Sequence, residues 1–311
     1  MAIAIAGSGP VGKTIIEAFL ENSKYKSELI LLTRKYQETS PLDQIQQIPV
    51  NYSDVAALAA QLEEHNVHTV VCAIGILTQE ASQAQINLIQ AADLSTTTKR
   101  FIPSEYSYIQ SEEIRHISPD AVQLFIDGTR AIESSNLQYT RVIPGFFMDY
   151  WGMPNIRTNM VPFTYAIDIL NARAIIPGDG NNVITMTYTY DMARFIVKLL
   201  DLEEWPEFSF IGGDDITFNQ LLDIAQELRG TKFDVTYDSL DRVRNNEATP
   251  LPQPEGFDYG PEFNKWVTGY MSHVITNDGI KLPKENRLND IFPDIHPISM
   301  KEFLIKAWKR D

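Results

Sequence analysis

Cysteine is nearly missing from this chain, basic charge is scarce, and no apolar run is long. A single cysteine among 311 residues, Cys72, excludes an internal disulfide framework and any cysteine-rich metal site, so a reducing, cytoplasmic compartment is the default expectation. Cys72 lies in the apolar run Thr69-Val70-Val71-Cys72-Ala73-Ile74 and reads as a small buried hydrophobe, not a nucleophile. No stretch approaches the roughly 20 apolar residues of a membrane span, so no membrane partner is expected. Met1 to Ala6 is apolar but lacks a basic leader and runs straight into a glycine motif; it reads as a strand, not a secretion signal. With 26 Lys and Arg against 41 Asp and Glu, the formal charge is -15. Such a surface repels a phosphate backbone, and no basic stripe offsets it. The longest basic cluster, Lys309-Arg310, reads as a solvated helix end. No nucleic-acid partner is expected. His65, His68, His273 and His296 show no metal-ligand spacing with carboxylates, so no metal site is expected, and the GxSxG signal of a serine nucleophile is absent too.

What is present is ordinary globular composition, 44% apolar and 22% charged, arranged in an alternating pattern. Short apolar runs alternate with helical periodicity over residues 1–143, as in βαβ units whose parallel sheet is covered on both faces. Strands are predicted at Ala2 to Ala6, Glu28 to Thr33, Gln47 to Val50, His68 to Ile74, Arg100 to Pro103 and Gln138 to Ile143. The first helix carries Val11, Ile15, Ala18 and Phe19 on one face, a stripe suited to packing on a sheet. Further helices are predicted at Asp54 to Glu64, Glu80 to Leu94 and Pro119 to Ser134. Beyond Pro144 the texture becomes aromatic-rich loops, short strands and isolated helices. There Asp191 is expected to cap a helix. Thr217-Phe218-Asn219-Gln220 and Ser299-Met300-Lys301-Glu302 have capping-box spacing, and Gly230 has the position of a helix stop. The proline-rich segment from Asn245 to Pro261 reads as an irregular loop and a candidate lid.

Gly7-Ser8-Gly9-Pro10-Val11-Gly12 is a GxGxxG placed directly after a strand and at the start of a helix. That context turns a weak pattern into a dinucleotide-binding expectation. Gly7 permits the tight turn, Gly9 lets the backbone approach a pyrophosphate, and Gly12 allows close helix–strand packing; the anion then sits on the helix N-terminus. The second strand ends in Thr33-Arg34-Lys35, two cations where an NAD site usually has the carboxylate that binds the ribose 2′-OH. A guanidinium fork with a lysine beside it suits a 2′-phosphate, so the expected cofactor is NADPH/NADP+.

With these residues in place the chain resembles the NmrA-like and isoflavone-reductase-like branch of the atypical short-chain dehydrogenases, which includes phenylcoumaran benzylic ether reductases. The resemblance runs nearly end to end, in the flavour of fungal members that tailor small natural products. It rests on the glycine motif, Thr33-Arg34, the stretch Lys99-Arg100-Phe101-Ile102-Pro103-Ser104-Glu105-Tyr106, the stretch Gly145-Phe146-Phe147-Met148-Asp149-Tyr150-Trp151, and Ile211-Gly212-Gly213-Asp214. It implies a Rossmann-type doubly wound parallel sheet over 1–143 and a smaller substrate lobe over 144–311, folded against it and partly interleaved. It also implies a nicotinamide lined by Ala73, Ile74, Gly75, Pro103, Ser104, Pro144, Gly145 and Phe146.

One residue departs from that family. Its reductases carry a lysine on the helix after the fifth strand, seven and eight positions before an isoleucine or leucine and a glutamate. Ile132-Glu133 sets this register, which puts Phe125 at the lysine position, and no lysine lies between Lys99 and Lys198. A Tyr-x-x-x-Lys pair is also absent. Phenylalanine transfers no proton, so the replacement candidates are Tyr106, His116, Asp127 and Asp149, with His116 closest in ordinary pKa to neutrality. Tyr106, Phe125, Phe147, Tyr150, Trp151 and Met153 are the candidate substrate contacts, for a flat aromatic or polycyclic molecule. Three readings stay open: an enzyme of secondary metabolism, either a reductase or a redox-neutral isomerase or cyclase that retains the cofactor, with another side chain as proton donor; an NADP(H)-sensing regulator that binds a protein partner without turnover; and a degenerate scaffold.

Overall fold

The computed structural model describes residues 2–22 and 24–309; Arg310, half of the basic cluster noted above, and Met1 of the first apolar run lie outside them. The first nine elements are β1 (Ala2–Ala6), α1 (Pro10–Glu21), β2 (Leu29–Thr33), β3 (Gln46–Pro49), α2 (Val55–Glu64), β4 (Val67–Cys72), α3 (Gln79–Leu94), β5 (Arg100–Ile102) and α4 (Pro119–Glu133). They are followed by β6 (Gln138–Tyr139) and β7 (Arg141–Ile143). Strands β1 to β6 form one parallel sheet in the order β3-β2-β1-β4-β5-β6. This is the doubly wound order in which the chain reverses direction across the sheet beside β1, the place where such folds bind a dinucleotide.

Burial follows the apolar pattern. Every residue of β2 is buried, as continuous apolar strands covered on both faces require. One face packs Ala4, Ala6, Leu32, Val70 and Phe101 against Leu58 and Leu62 of α2, Leu88, Ile89 and Ala92 of α3 and Ile132 of α4. Helix α1 buries Ile15, Ile16, Ala18 and Phe19, while Val11 at its first turn stays half-buried. At about 1.5–3 kcal/mol for each large side chain taken from water, these stripes are what hold the helices on the sheet.

The stretch expected to be one strand from Gln138 to Ile143 is broken at Thr140. Its first part pairs with β5, but Arg141 donates its N–H to Glu207 O at 2.8 Å and the Thr140 and Ser209 hydroxyls meet at 2.7 Å. The cause is a tertiary partner that local pattern does not show. Residues 1–106, 110–143 and 193–209 form one compact unit.

The second unit comprises 107–109, 144–192 and 210–311. The elements after β7 are β8 (Phe146–Phe147), α5 (Asp149–Gly152), β9 (Ile167–Asp168), β10 (Arg173–Pro177), β11 (Ile184–Thr187), α6 (Thr189–Leu199), β12 (Phe208–Phe210), β13 (Asp214–Ile216), α7 (Phe218–Arg229), β14 (Asp234–Asp238), α8 (Leu240–Arg244), α9 (Pro261–Thr276), α10 (Leu288–Ile291) and α11 (Met300–Trp308). Two small sheets, β14-β10-β9 and β13-β11-β8, organise it. Both capping boxes form, Thr217 with Gln220 and Ser299 with Glu302, and Gly230 closes α7 at φ 62°. Asp191 is not the cap of α6. It is the third residue of that helix, and its carboxylate accepts the Ile298 N–H at 2.7 Å. Residues 247–260 have no regular structure, as the prolines require. No helix among the described residues is long and apolar enough to cross a membrane.

Candidate functional site

The turn from β1 to α1 shows which glycines the protein needs for itself. Gly7 has φ 111°, and a Cβ there would stand 2.5 Å from Ala73 O; a Cβ on Gly12 would stand 2.2 Å from Gly7 O. Both are excluded by the backbone of this chain, so both positions must be glycine for the turn to close. Gly9 and Gly75 differ: a Cβ on either would meet nothing within 4 Å. The chain keeps these two surfaces bare although its own packing does not ask for it. Helix α1 begins with Gly9 as its N-cap and Pro10 in its first turn, and no side chain caps it. The positive end of the helix therefore faces the open ground above Gly9.

The loop after β2 supplies the cations. Arg34 and Lys35 are exposed, and neither takes part in an ion pair among the described residues. Thr33 is buried and its hydroxyl donates to Lys35 O at 2.9 Å, which shapes the turn behind them. Gln37 then donates to the Ser8 hydroxyl at 2.5 Å, tying this loop to the glycine turn. Gln37 was invisible to sequence reasoning, since nothing in its local pattern names Ser8 as a partner.

On the other side of β1, the Ala73 N–H donates to Ala6 O at 2.7 Å, which places Ala73, Ile74 and Gly75 beside the glycine turn. The segment after β5 is anchored residue by residue. Pro103 and Ser104 are buried, and the Ser104 N–H donates to Gln85 Oε1 at 2.7 Å. Glu105 forms a two-pronged ion pair with Arg141 at 2.5 and 2.6 Å, with Glu105 only 4% exposed. Burial pushes the Glu105 carboxyl up, against the pull of Arg141. Tyr106 is buried and donates its hydroxyl to Cys72 O at 2.7 Å, and burial holds its phenol well above the ordinary value. Its proton is committed to a backbone carbonyl.

Of the other proposed acid–base groups in this unit, His116 is exposed, with Nδ1 2.9 Å from Glu113 O. Asp127 lies on α4, where it accepts from Gln123 at 2.6 Å and faces Arg130 at 3.8 Å. Phe125 lies half-buried on the same helix. Burial pushes the Cys72 thiol up to about 12, so it stays a thiol near neutrality.

In the second unit Gly145 has φ 75°, and a Cβ there would stand 2.1 Å from Thr185 O, while Pro144 O accepts from the Thr187 hydroxyl at 2.7 Å. These contacts hold β8 on β11 and present Phe146, whose half-buried ring lies 5.1 Å from Trp151, 5.9 Å from Tyr150 and 5.8 Å from Tyr165. Phe147 and Trp151 are buried and Met153 is half-buried. Asp149 is fully buried and accepts from Thr158, from the Thr189 hydroxyl and from the Thr189 N–H at 2.5, 2.7 and 3.1 Å. Burial nevertheless pushes its carboxyl up. These bonds join α5 to the start of α6, a structural junction.

The residues of the first unit fit a phosphorylated dinucleotide. A pyrophosphate finds bare backbone at Gly9 and an uncapped helix end, and a further phosphate finds two exposed cations one strand away. Among the described residues no cluster of His, Cys, Asp or Glu could hold a metal ion.

Comparison with known proteins agrees with this geometry. A family model described as NAD(P)H-binding matches residues 6–161. The chain is 28% identical to the oxidoreductase swnN of Metarhizium robertsii, covering 99% of this chain and 97% of that protein. It is 29% identical to the oxidoreductase BOA1 of Botryotinia fuckeliana, covering 95% of each. The structure of AtPrR2 with NADP+ and (+)-pinoresinol shares the fold at a TM-score of 0.73 and 18% identity, over 97% of each chain.

Proposed function

From the premise that this chain belongs to the NAD(P)H-binding family and is an NAD(P)H-dependent oxidoreductase, we propose that it uses NADP(H) to reduce an aromatic or polycyclic small molecule of fungal secondary metabolism. The observation that carries the cofactor choice is the exposed Arg34–Lys35 step, without an ion pair among the described residues, beside a glycine turn that stays bare at Gly9. Arg34 binds the 2′-phosphate as a fork and Lys35 adds charge. Gly7 and Gly12 shape the turn, and the uncapped end of α1 takes the pyrophosphate. The bound cofactor supplies a hydride.

Support for an aromatic substrate comes from the ring cluster around Phe146, Tyr150 and Trp151. It is strengthened by the pinoresinol bound to AtPrR2. Phe125, half-buried on α4, stands where the resemblance places a lysine and offers no proton there. A substrate whose reduction needs no proton from that helix, such as an iminium that becomes a neutral amine on taking the hydride, tolerates this residue better than a ketone, whose alkoxide must be protonated.

The test is fluorescence titration of NADPH and NADH against the wild type and Arg34→Ala. Loss of one charge-assisted contact, about 1.5–3 kcal/mol, predicts a ten- to hundredfold weaker NADPH Kd with NADH little changed. Equal wild-type affinity for the two cofactors overturns the NADP(H) assignment. Incubation with aromatic candidates then reads turnover: NADPH loss with product supports the reductase, and product without loss points to the redox-neutral reaction.

A further inference from the structure

Helix α4 carries a glycine, Gly128, in its interior, buried and in ordinary helical backbone. A mid-helix glycine costs about 1 kcal/mol against alanine, and nothing in the conformation of this helix asks for one. The reason lies on α3. A Cβ at Gly128 would stand 2.7 Å from Nε2 of Gln85. Gln85 is 2% exposed, and its Oε1 accepts the Ser104 N–H at 2.7 Å. Nε2 is the end of a flexible side chain, but Gln85 is buried and held through Oε1, so making room for a methyl turns the amide plane and weakens the alignment of its oxygen with the Ser104 N–H. Without that oxygen the buried Ser104 N–H would keep only its weak contact with the Cys72 sulfur.

Ser104 stands two residues beyond β5, at the carboxyl ends of the strands. With the pyrophosphate turn at the end of β1 and the adenosine side at β2, strand order β3-β2-β1-β4-β5 leaves the ends of β4 and β5 to the other half of the dinucleotide. We infer that Gln85 and Gly128 together form a positioning device for the nicotinamide half of the cofactor site: Gln85 fixes the Ser104 segment by its backbone N–H, and Gly128 is the space that lets it do so. The inference rests on the dinucleotide reading above. Neither residue touches the adenosine side, so their effect is confined to one end of the ligand.

That confinement gives the test. Binding of NADPH and of 2′,5′-ADP, which keeps the adenosine and its extra phosphate but has no nicotinamide, is titrated for the wild type, Gln85→Met, Gly128→Ala, Gln85→Ala and the Gln85→Ala/Gly128→Ala double variant. Expected is about a tenfold weaker NADPH Kd for Gln85→Met and for Gly128→Ala, one hydrogen bond's worth, with 2′,5′-ADP within twofold of wild type. In the double variant the added methyl meets no carboxamide, so NADPH binding equals that of Gln85→Ala alone; that non-additivity is the signature of a shared contact. Wild-type NADPH affinity in Gln85→Met overturns the inference. So does parallel loss of both ligands, since a general weakening of the fold would act on both ends. A wild type that binds neither ligand sinks the dinucleotide reading itself, a result distinct from either.

Discussion

Glu105 and Arg141 show what a single residue pair can decide. Both are almost wholly buried and joined by two short charge-assisted bonds, and the carboxylate also accepts from Thr129. A buried pair of this kind adds little net stability, yet removing one partner strands the other. Arg141→Met is expected to cost about 3–5 kcal/mol near neutral pH, measured by denaturant unfolding. The pH dependence has a definite sign. Burial already raises the Glu105 carboxyl, and loss of Arg141 raises it further. A group whose pKa is raised on folding contributes its stability at low pH and loses it as pH rises through the folded value. The deficit of Arg141→Met should therefore be smallest in mild acid and grow toward neutrality; a deficit that shrinks with rising pH contradicts the pairing. At the same scale the candidate acid–base residues separate. Tyr106 and Asp149 give their polar atoms to the fold, whereas His116 is exposed on the segment before α4.

Helix termini set the logic of the elements. Helices α7 and α11 begin with complete capping boxes, and α1 begins with bare backbone. Side-chain caps are missing from α4 and α9 as well, but the bare end of α1 lies at the glycine turn, where a capping side chain would occupy the place proposed for a phosphate. Ser299→Ala should lower unfolding free energy by about 1 kcal/mol, with NADPH affinity unchanged; a change in affinity contradicts the separation of the two roles. The capping residues were readable because a capping box is written within four successive residues. Asp191 had the same look and a different fate, because its acceptor role is filled by the N–H of Ile298, 107 positions away. The predicted strands and helices of the first half fall within a residue or two of the observed ones for the same reason as the capping boxes, and the one that split, at Thr140, did so through Ser209 and Glu207.

For the molecule as a whole, cofactor binding and folding are linked. The proposed site exists only where β1, β2 and β4 are assembled, so NADPH at a hundredfold excess over its Kd should add about 2.7 kcal/mol to the stability of the folded state. A thermal-shift series should show the midpoint rising with NADPH and rising less, at equal concentration, for Arg34→Ala. Absence of any shift in the wild type contradicts a site built from the folded sheet. The net charge of -15 makes the exposed Arg34 and Lys35 a local exception on a chain that otherwise repels anions.

The sequence by itself determined the alternation of strands and helices, the glycine turn after β1 and the two cations that end β2, because each of these is a local property: apolar period, backbone freedom, side-chain charge. The tertiary structure decided the rest. It alone showed that Gly7 and Gly12 answer to the protein's own backbone while Gly9 and Gly75 are left open, that Gln37 reaches Ser8 and Gln85 holds Ser104, and that Arg141 belongs to Glu105. The physical reason is common to all of them: a hydrogen bond or a steric limit between residues tens of positions apart exists only after the sheet has brought them within about 3 Å, and no short window of sequence carries that distance.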